Sequence, residues 1–223
     1  MKARALILLV AVAAACDPPT IPGRDATDVY DFTLPSQPPA VLRWPSGARV
    51  RVWVEPAAVA ARTALLEAAF RDGAAAWNEL AVFAEYGLVR ARDLREADVV
   101  LMWSDVLPPV DTRDCRPSIT QAVTTFCVDN LGEAAPRLRP FPLSSSETGN
   151  VKMLVTVLAS EAADPEAVHR LVAHELGHVL GIGRHSPERD DLMYRTDPVV
   201  ARPSPRDAAT VQLLYHVRPH VVP

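Results

Sequence analysis

Positive charge is not in excess in this chain. Its 223 residues carry 23 Lys and Arg against 27 Asp and Glu, a net charge of -4, and show no run of like charges. That excludes the basic footprint a nucleic-acid partner needs. Cysteine is scarce, with Cys16, Cys115 and Cys127 alone, and the longest apolar run stops well short of the ~20 residues that cross a bilayer. There is no internal repeat. What remains is a chain that is 49% hydrophobic and long enough for one domain with a substantial core.

The first residues differ from the rest. Lys2 and Arg4 precede an apolar run from Ala5 to Val12, followed by Ala13, Ala14, Ala15 and Cys16. This reads as an export signal over 1–15, so the protein is expected in the cell envelope or outside the cell. Ala-Ala-Ala-Cys resembles a bacterial lipobox, which implies lipidation of Cys16 and a membrane anchor; plain secretion is the alternative. With Cys16 set aside, Cys115 and Cys127 are an even pair in an oxidising compartment, either a disulfide closing a loop over Pro117 to Phe126 or two buried thiols. Residues 16–39 are rich in Pro, Asp, Thr and Ser, as an extended tether would be.

The folded unit is expected over 40–223. Val50, Val52 and Val54 alternate with Arg51 and Trp53 as a half-buried strand does. A helix follows, with Pro56 suited to its first turn and Leu66, Phe70, Trp77 and Leu80 on one face. Val82 to Arg90, Ala97 to Trp103, Ile119 to Val128 and Val151 to Leu158 read as strands. A Pro-rich stretch lies around Pro108 to Pro117, and Leu131 to Asn150 reads as a long loop. Asp164 and Pro165 start a second helix, expected to reach Leu180 and to end at Gly181; Ser204, Pro205 and Asp207 start a third. The expectation is an α+β fold with three helices and about five strands.

The chemistry concentrates in His174-Glu-Leu-Gly-His-Val-Leu-Gly-Ile-Gly-Arg-His-Ser186. His174 and His178 leave one face of a helix a turn apart and can share one metal ion. Glu175 projects beside that ion, where a general base for a metal-activated water belongs. Three neutral nitrogen ligands would leave zinc an open fourth position, at which the pKa of water falls to roughly 7. A third ligand is therefore required.

This segment resembles the metzincin clan of zinc peptidases and, within it, the matrixins. The clan pattern HExxHxxGxxH is matched by His174, Glu175, His178 and Gly181. Arg184 stands where the third histidine is expected, and His185 follows one residue later. Because arginine stays protonated, a loop one residue longer through Ile182, Gly183 and Arg184 would bring His185 to the metal. Ser186 after His185, and Met193 at the spacing of the matrixin Met-turn, favour that registration. The resemblance implies that Met193 forms a floor beneath the ligands and that Tyr194 shapes the pocket for the side chain after the scissile bond. It further implies that Asp207 bonds to the Met-turn, whereas Arg206 replaces an acid that pairs with the N-terminus freed by activation. The likeness spans about Val41 to Tyr215, with looser echoes at Trp44, Ala76-Trp77 and Ala97 to Val100, but is specific only from Leu171 onward.

The implied activity is that of a zinc endopeptidase acting on extracytoplasmic or matrix protein, with one zinc as cofactor and a peptide laid along the Ile119 to Val128 strand. A catalytically silent zinc-containing module that binds peptide or matrix is the rival reading. Calcium is a further candidate at Asp105, Asp111, Asp114 and Asp129, although these form no diagnostic loop. His169 lies off the metal-facing stripe and reads as surface or packing.

Overall fold

Alternation of branched apolar residues builds the sheet, and small residues let two helices lie against it. The computed structural model describes residues 28–35, 39–106, 122–129, 137–141 and 151–223. The fold is α+β, with a five-stranded mixed sheet and three α-helices among those residues. The strands are β1 (Ala48–Val54), β2 (Tyr86–Arg90), β3 (Val99–Ser104), β4 (Ala122–Thr125), β5 (Cys127–Asp129), β6 (Arg137–Arg139) and β7 (Met153–Leu158). The helices are α1 (Ala60–Asn78), α2 (Pro165–Val179) and α3 (Pro205–His216).

The main sheet runs β2-β1-β3-β7-β4, parallel throughout except for β4, which pairs antiparallel with β7 at the edge. Val50, Val52 and Val54 point into the core as their alternation requires, and Leu66, Phe70 and Trp77 bury the inner face of α1. Helix α1 packs along α2, so the sheet and α1 together hold the helix bearing the histidines.

Several boundaries differ from expectation. Helix α1 begins at Ala60 with Val59 as its cap, leaving Pro56 outside and Leu80 beyond the end. Residues 82–85 form a turn, with Ala84 at φ 56°, and β2 starts only at Tyr86. The strand expected over Ile119 to Val128 divides at Phe126 into β4 and β5, while Arg137–Arg139, expected in a loop, pairs with β5 as a separate two-stranded sheet. One run of sequence, interrupted at Phe126, thus serves two sheets.

Part of the stretch read as a tether is packed on the domain. Within residues 28–35 Tyr30 and Leu34 are buried, and this strap packs on Gly183, just past α2, and on Asp207 and Thr210 of α3. Tyr30, Phe32 and Leu34 alternate with Asp31 and Thr33, the period of a half-buried strand, so apolar burial outweighs the proline content around them. The export signal over 1–15, Cys16, Cys115 with the side chain of Cys127, the stretch from Pro108 to Pro117, and Asp111, Asp114 and the carboxylate of Asp129 lie outside the described residues.

Candidate metal centre

Local signals set α2. Asp164 accepts the backbone N–H of Ala167 at 3.1 Å, and Pro165 occupies the first helical position, where no amide hydrogen is needed. The helix ends at Val179, and Gly181 just past its cap turns the chain away with a φ of +110°, a left-handed conformation; a Cβ there would lie 2.1 Å from the carbonyl oxygen of Leu42. Three buried donors fix the helix from outside. Trp77 Nε1 donates to Ala173 O at 2.7 Å, Trp44 Nε1 to Val179 O at 2.7 Å, and Tyr215 Oη to Leu180 O at 3.2 Å. The last two of these satisfy carbonyls left open at the C-terminal end of the helix, while Trp77 adds a bond to a carbonyl in its middle.

From this helix His174 and His178 project together, with ring centroids 4.9 Å apart. His174 Nδ1 lies 2.7 Å from Leu192 O, and His178 Nδ1 lies 2.6 Å from Ile182 O. A carbonyl only accepts, so each Nδ1 must carry the hydrogen, which leaves each Nε2 with a free lone pair. The segment 182–184 then delivers His185, whose Nε2 lies 3.2 Å from His178 Nε2. All three imidazoles contribute a nitrogen to one cluster with separations within 4.8 Å. It is the one such group of three metal-ligating side chains among the described residues.

Burial keeps the cluster neutral. Removal from water holds His174 well below the ordinary histidine range and lowers His178 as well. Burial, aided by the neighbouring His178 and Arg195, pushes His185 down to about 3. Neutral imidazoles with converging lone pairs repel one another unless an electrophile lies between them. Four-coordinate zinc with bonds of about 2.0–2.1 Å places its ligand nitrogens roughly 3.3 Å apart, which the 3.2 Å between His178 and His185 suits, so the cluster could hold a metal ion of that size.

Arg184 turns away. Its Nε lies 2.9 Å from Asp31 Oδ2, and the preceding Gly183 donates its backbone N–H to Phe32 O at 2.8 Å. The strap thus holds the loop that sets His185 toward the histidines of α2. Asp105 is exposed and joins no metal-ligating group among the described residues, and His169 Nδ1 lies beside Asp72 at 3.2 Å, apart from the cluster.

Glu175 is almost wholly buried, at 3% exposure, and desolvation raises its pKa to about 7. Its Oε2 accepts a 2.6 Å hydrogen bond from Thr124 Oγ1 on β4, and the same hydroxyl lies 3.2 Å from the backbone oxygen of Glu175. No sequence signal marked Thr124, because a threonine in a strand is ordinary.

Beneath the helix, residues 191–194 form a tight turn. Ser186 N donates to Met193 O at 2.7 Å, and Leu192 N donates to Asp207 Oδ2 at 2.8 Å. Asp207 also accepts from Ser204 N at 2.9 Å and from Tyr30 Oη at 2.7 Å; burial raises its pKa above the ordinary carboxylate value. Asp191 accepts from Ser186 Oγ and, at 2.6 Å, from Ser204 Oγ, and pairs with Arg206 at 2.9 Å. Arg206 therefore faces an acid of the turn. Met193 is fully buried and Tyr194 half-buried. A cavity of about 380 Å³ near the start of α2 is lined by Pro165, Glu166, His169, Arg170, Val199 and Ala201; it contains neither Tyr194 nor any of the three clustered histidines.

No protein-family model matches this chain, and a search of curated proteins finds no relative.

Proposed function

We propose that this protein is a zinc-dependent endopeptidase of matrixin-like type, with His174, His178 and His185 as ligands and Glu175 as general base. The observation that carries the reading is the convergence of three neutral imidazoles beside one buried carboxylate. Zinc bound there would supply an acidified water and a Lewis acid for the peptide carbonyl.

The chain's own residues account for the rest. Leu192 O and Ile182 O fix the tautomers of His174 and His178, so both Nε2 atoms are presented as ligands without rearrangement. Glu175 takes a proton from the attacking water and passes it to the departing amine. A carboxylate raised to about 7 by burial suits both halves of that transfer near neutrality. Strand β4, with one edge paired to β7, is the place for an extended peptide to add its backbone. Met193 serves as the floor beneath the ligands, and Asp207 ties the turn that carries it to α3.

The test combines metal analysis of the purified protein with cleavage of a mixed peptide library. One bound zinc and turnover that Glu175→Ala abolishes without loss of zinc are expected. Bound zinc with no cleavage under any condition would instead favour a silent peptide-binding module.

A further inference from the structure

Building on the general-base reading, we infer that Thr124 is a positioning residue for Glu175. Its hydroxyl anchors one carboxylate oxygen so that the other is the one that handles the proton. Thr124 lies on β4, opposite Val155 of β7, on a strand of the main sheet that packs against α2. It is 7% exposed, and its Oγ1 meets Glu175 Oε2 at 2.6 Å.

The argument begins with the freedom of the glutamate. A glutamate side chain has three rotatable torsions, the last of them broad, so a helix position alone does not orient the carboxylate. His174 and His178 are oriented by carbonyls on their far nitrogens. Glu175 has its equivalent in Thr124, whose hydroxyl bonds Oε2 and whose backbone also bonds the carboxyl group. With the hydroxyl held on Oε2, Oε1 is the oxygen assigned to face a water and an amine. The side-chain anchor is geometric: Oε2 is held from the sheet by the Thr124 hydroxyl.

The anchor comes from the strand placed to receive substrate. A peptide pairing with β4 would bear on the strand that sets the base, so register and base orientation are joined through one residue. A bond of this kind to a buried charged group is worth about tenfold to a hundredfold in rate when it is made in the transition state.

The experiment uses the full-length zinc-loaded protein and one fluorogenic peptide, chosen as the best substrate of the wild type from a mixed library. Thr124→Val keeps the shape and removes the hydroxyl; Thr124→Ser restores it. Thr124→Val should lower kcat tenfold to a hundredfold with KM within twofold and zinc content unchanged, and Thr124→Ser should recover most of the loss. The carboxyl carbon of Glu175, assigned through Glu175→Gln in a ¹³C-labelled sample, should shift in Thr124→Val and return in Thr124→Ser. An unchanged kcat, an unmoved resonance or a serine variant as slow as valine would overturn the inference. So would a loss confined to KM or zinc content, which marks a merely structural role. If the wild type binds zinc and cleaves nothing, the general-base reading falls and takes the inference with it; if Glu175→Ala is inactive while Thr124→Val is not, the inference falls alone.

Discussion

Met193 Sδ lies against the Cα of Gly177, so close that a Cβ on that glycine would sit 2.3 Å from the sulfur and 2.8 Å from the ring of Trp77. The glycine inside the histidine motif is thus a matter of packing, set by a residue sixteen positions later.

Gly177→Ala should therefore destabilise the protein. Helix propensity favours alanine by up to about 1 kcal/mol, but overpacking a tight core costs about 1–3 kcal/mol. A net loss of stability is expected in denaturant unfolding, and a smaller one when the same change is made in a Met193→Ala background. Additive effects would show that the sulfur is not the obstacle.

The two residues at the end of the histidine loop should separate cleanly. His185→Ala should lower zinc affinity at least tenfold in chelator competition. Arg184→Ala should leave affinity within about twofold, since it removes an exposed ion pair to Asp31 worth less than about 1 kcal/mol. Equal losses from both would contradict His185 as a ligand.

Asp207 holds two backbone amides and a buried phenol hydroxyl. Asp207→Ala strands those donors, each at about 1–3 kcal/mol, so a loss of at least about 3 kcal/mol is expected, with weakened zinc binding because Leu192 O orients His174. Tyr30→Phe removes one of the three bonds and should cost about 1–2 kcal/mol. A phenylalanine variant as unstable as the alanine one would mean that the strap, not the carboxylate, dominates.

Glu175 sets a pH dependence in the chelator-treated protein. Its carboxyl titrates near 4.5 when unfolded and about 7 when folded, because burial disfavours the charge. Below about 4.5 both states hold the proton. Between about 4.5 and 7 the unfolded state ionises first and gains, so the folded protein loses stability as pH rises through that window. Glu175→Gln cannot ionise and should become more stable relative to wild type by roughly 3 kcal/mol across it. Urea unfolding at a series of pH values gives the difference directly, and a flat difference would place the carboxylate in water.

The capped ends of α2 and α3, and the alternating valines of β1, were legible because each depends on neighbours close in sequence. The histidine cluster was legible for the same reason, its members lying within twelve residues. The start of α1 was not, since Val59 offers no side-chain cap and alanine-rich sequence marks no boundary. Thr124 and Tyr30 were missed because their meaning comes from partners 51 and 177 residues away. The alternation around Tyr30 was present in the sequence, but proline-rich surroundings outweighed it.

The strap also carries a kinetic consequence. Tyr30, Asp31 and Phe32 are complete long before Asp207, Arg184 and Gly183, the groups they respectively secure, have been joined to the chain. Closing loops of that length is slow relative to local helix formation, so the locked form of the histidine loop should be among the last structure to appear during folding. A nascent chain ending before α3 would have its histidine motif but lack the aspartate that receives Tyr30, and should hold metal loosely.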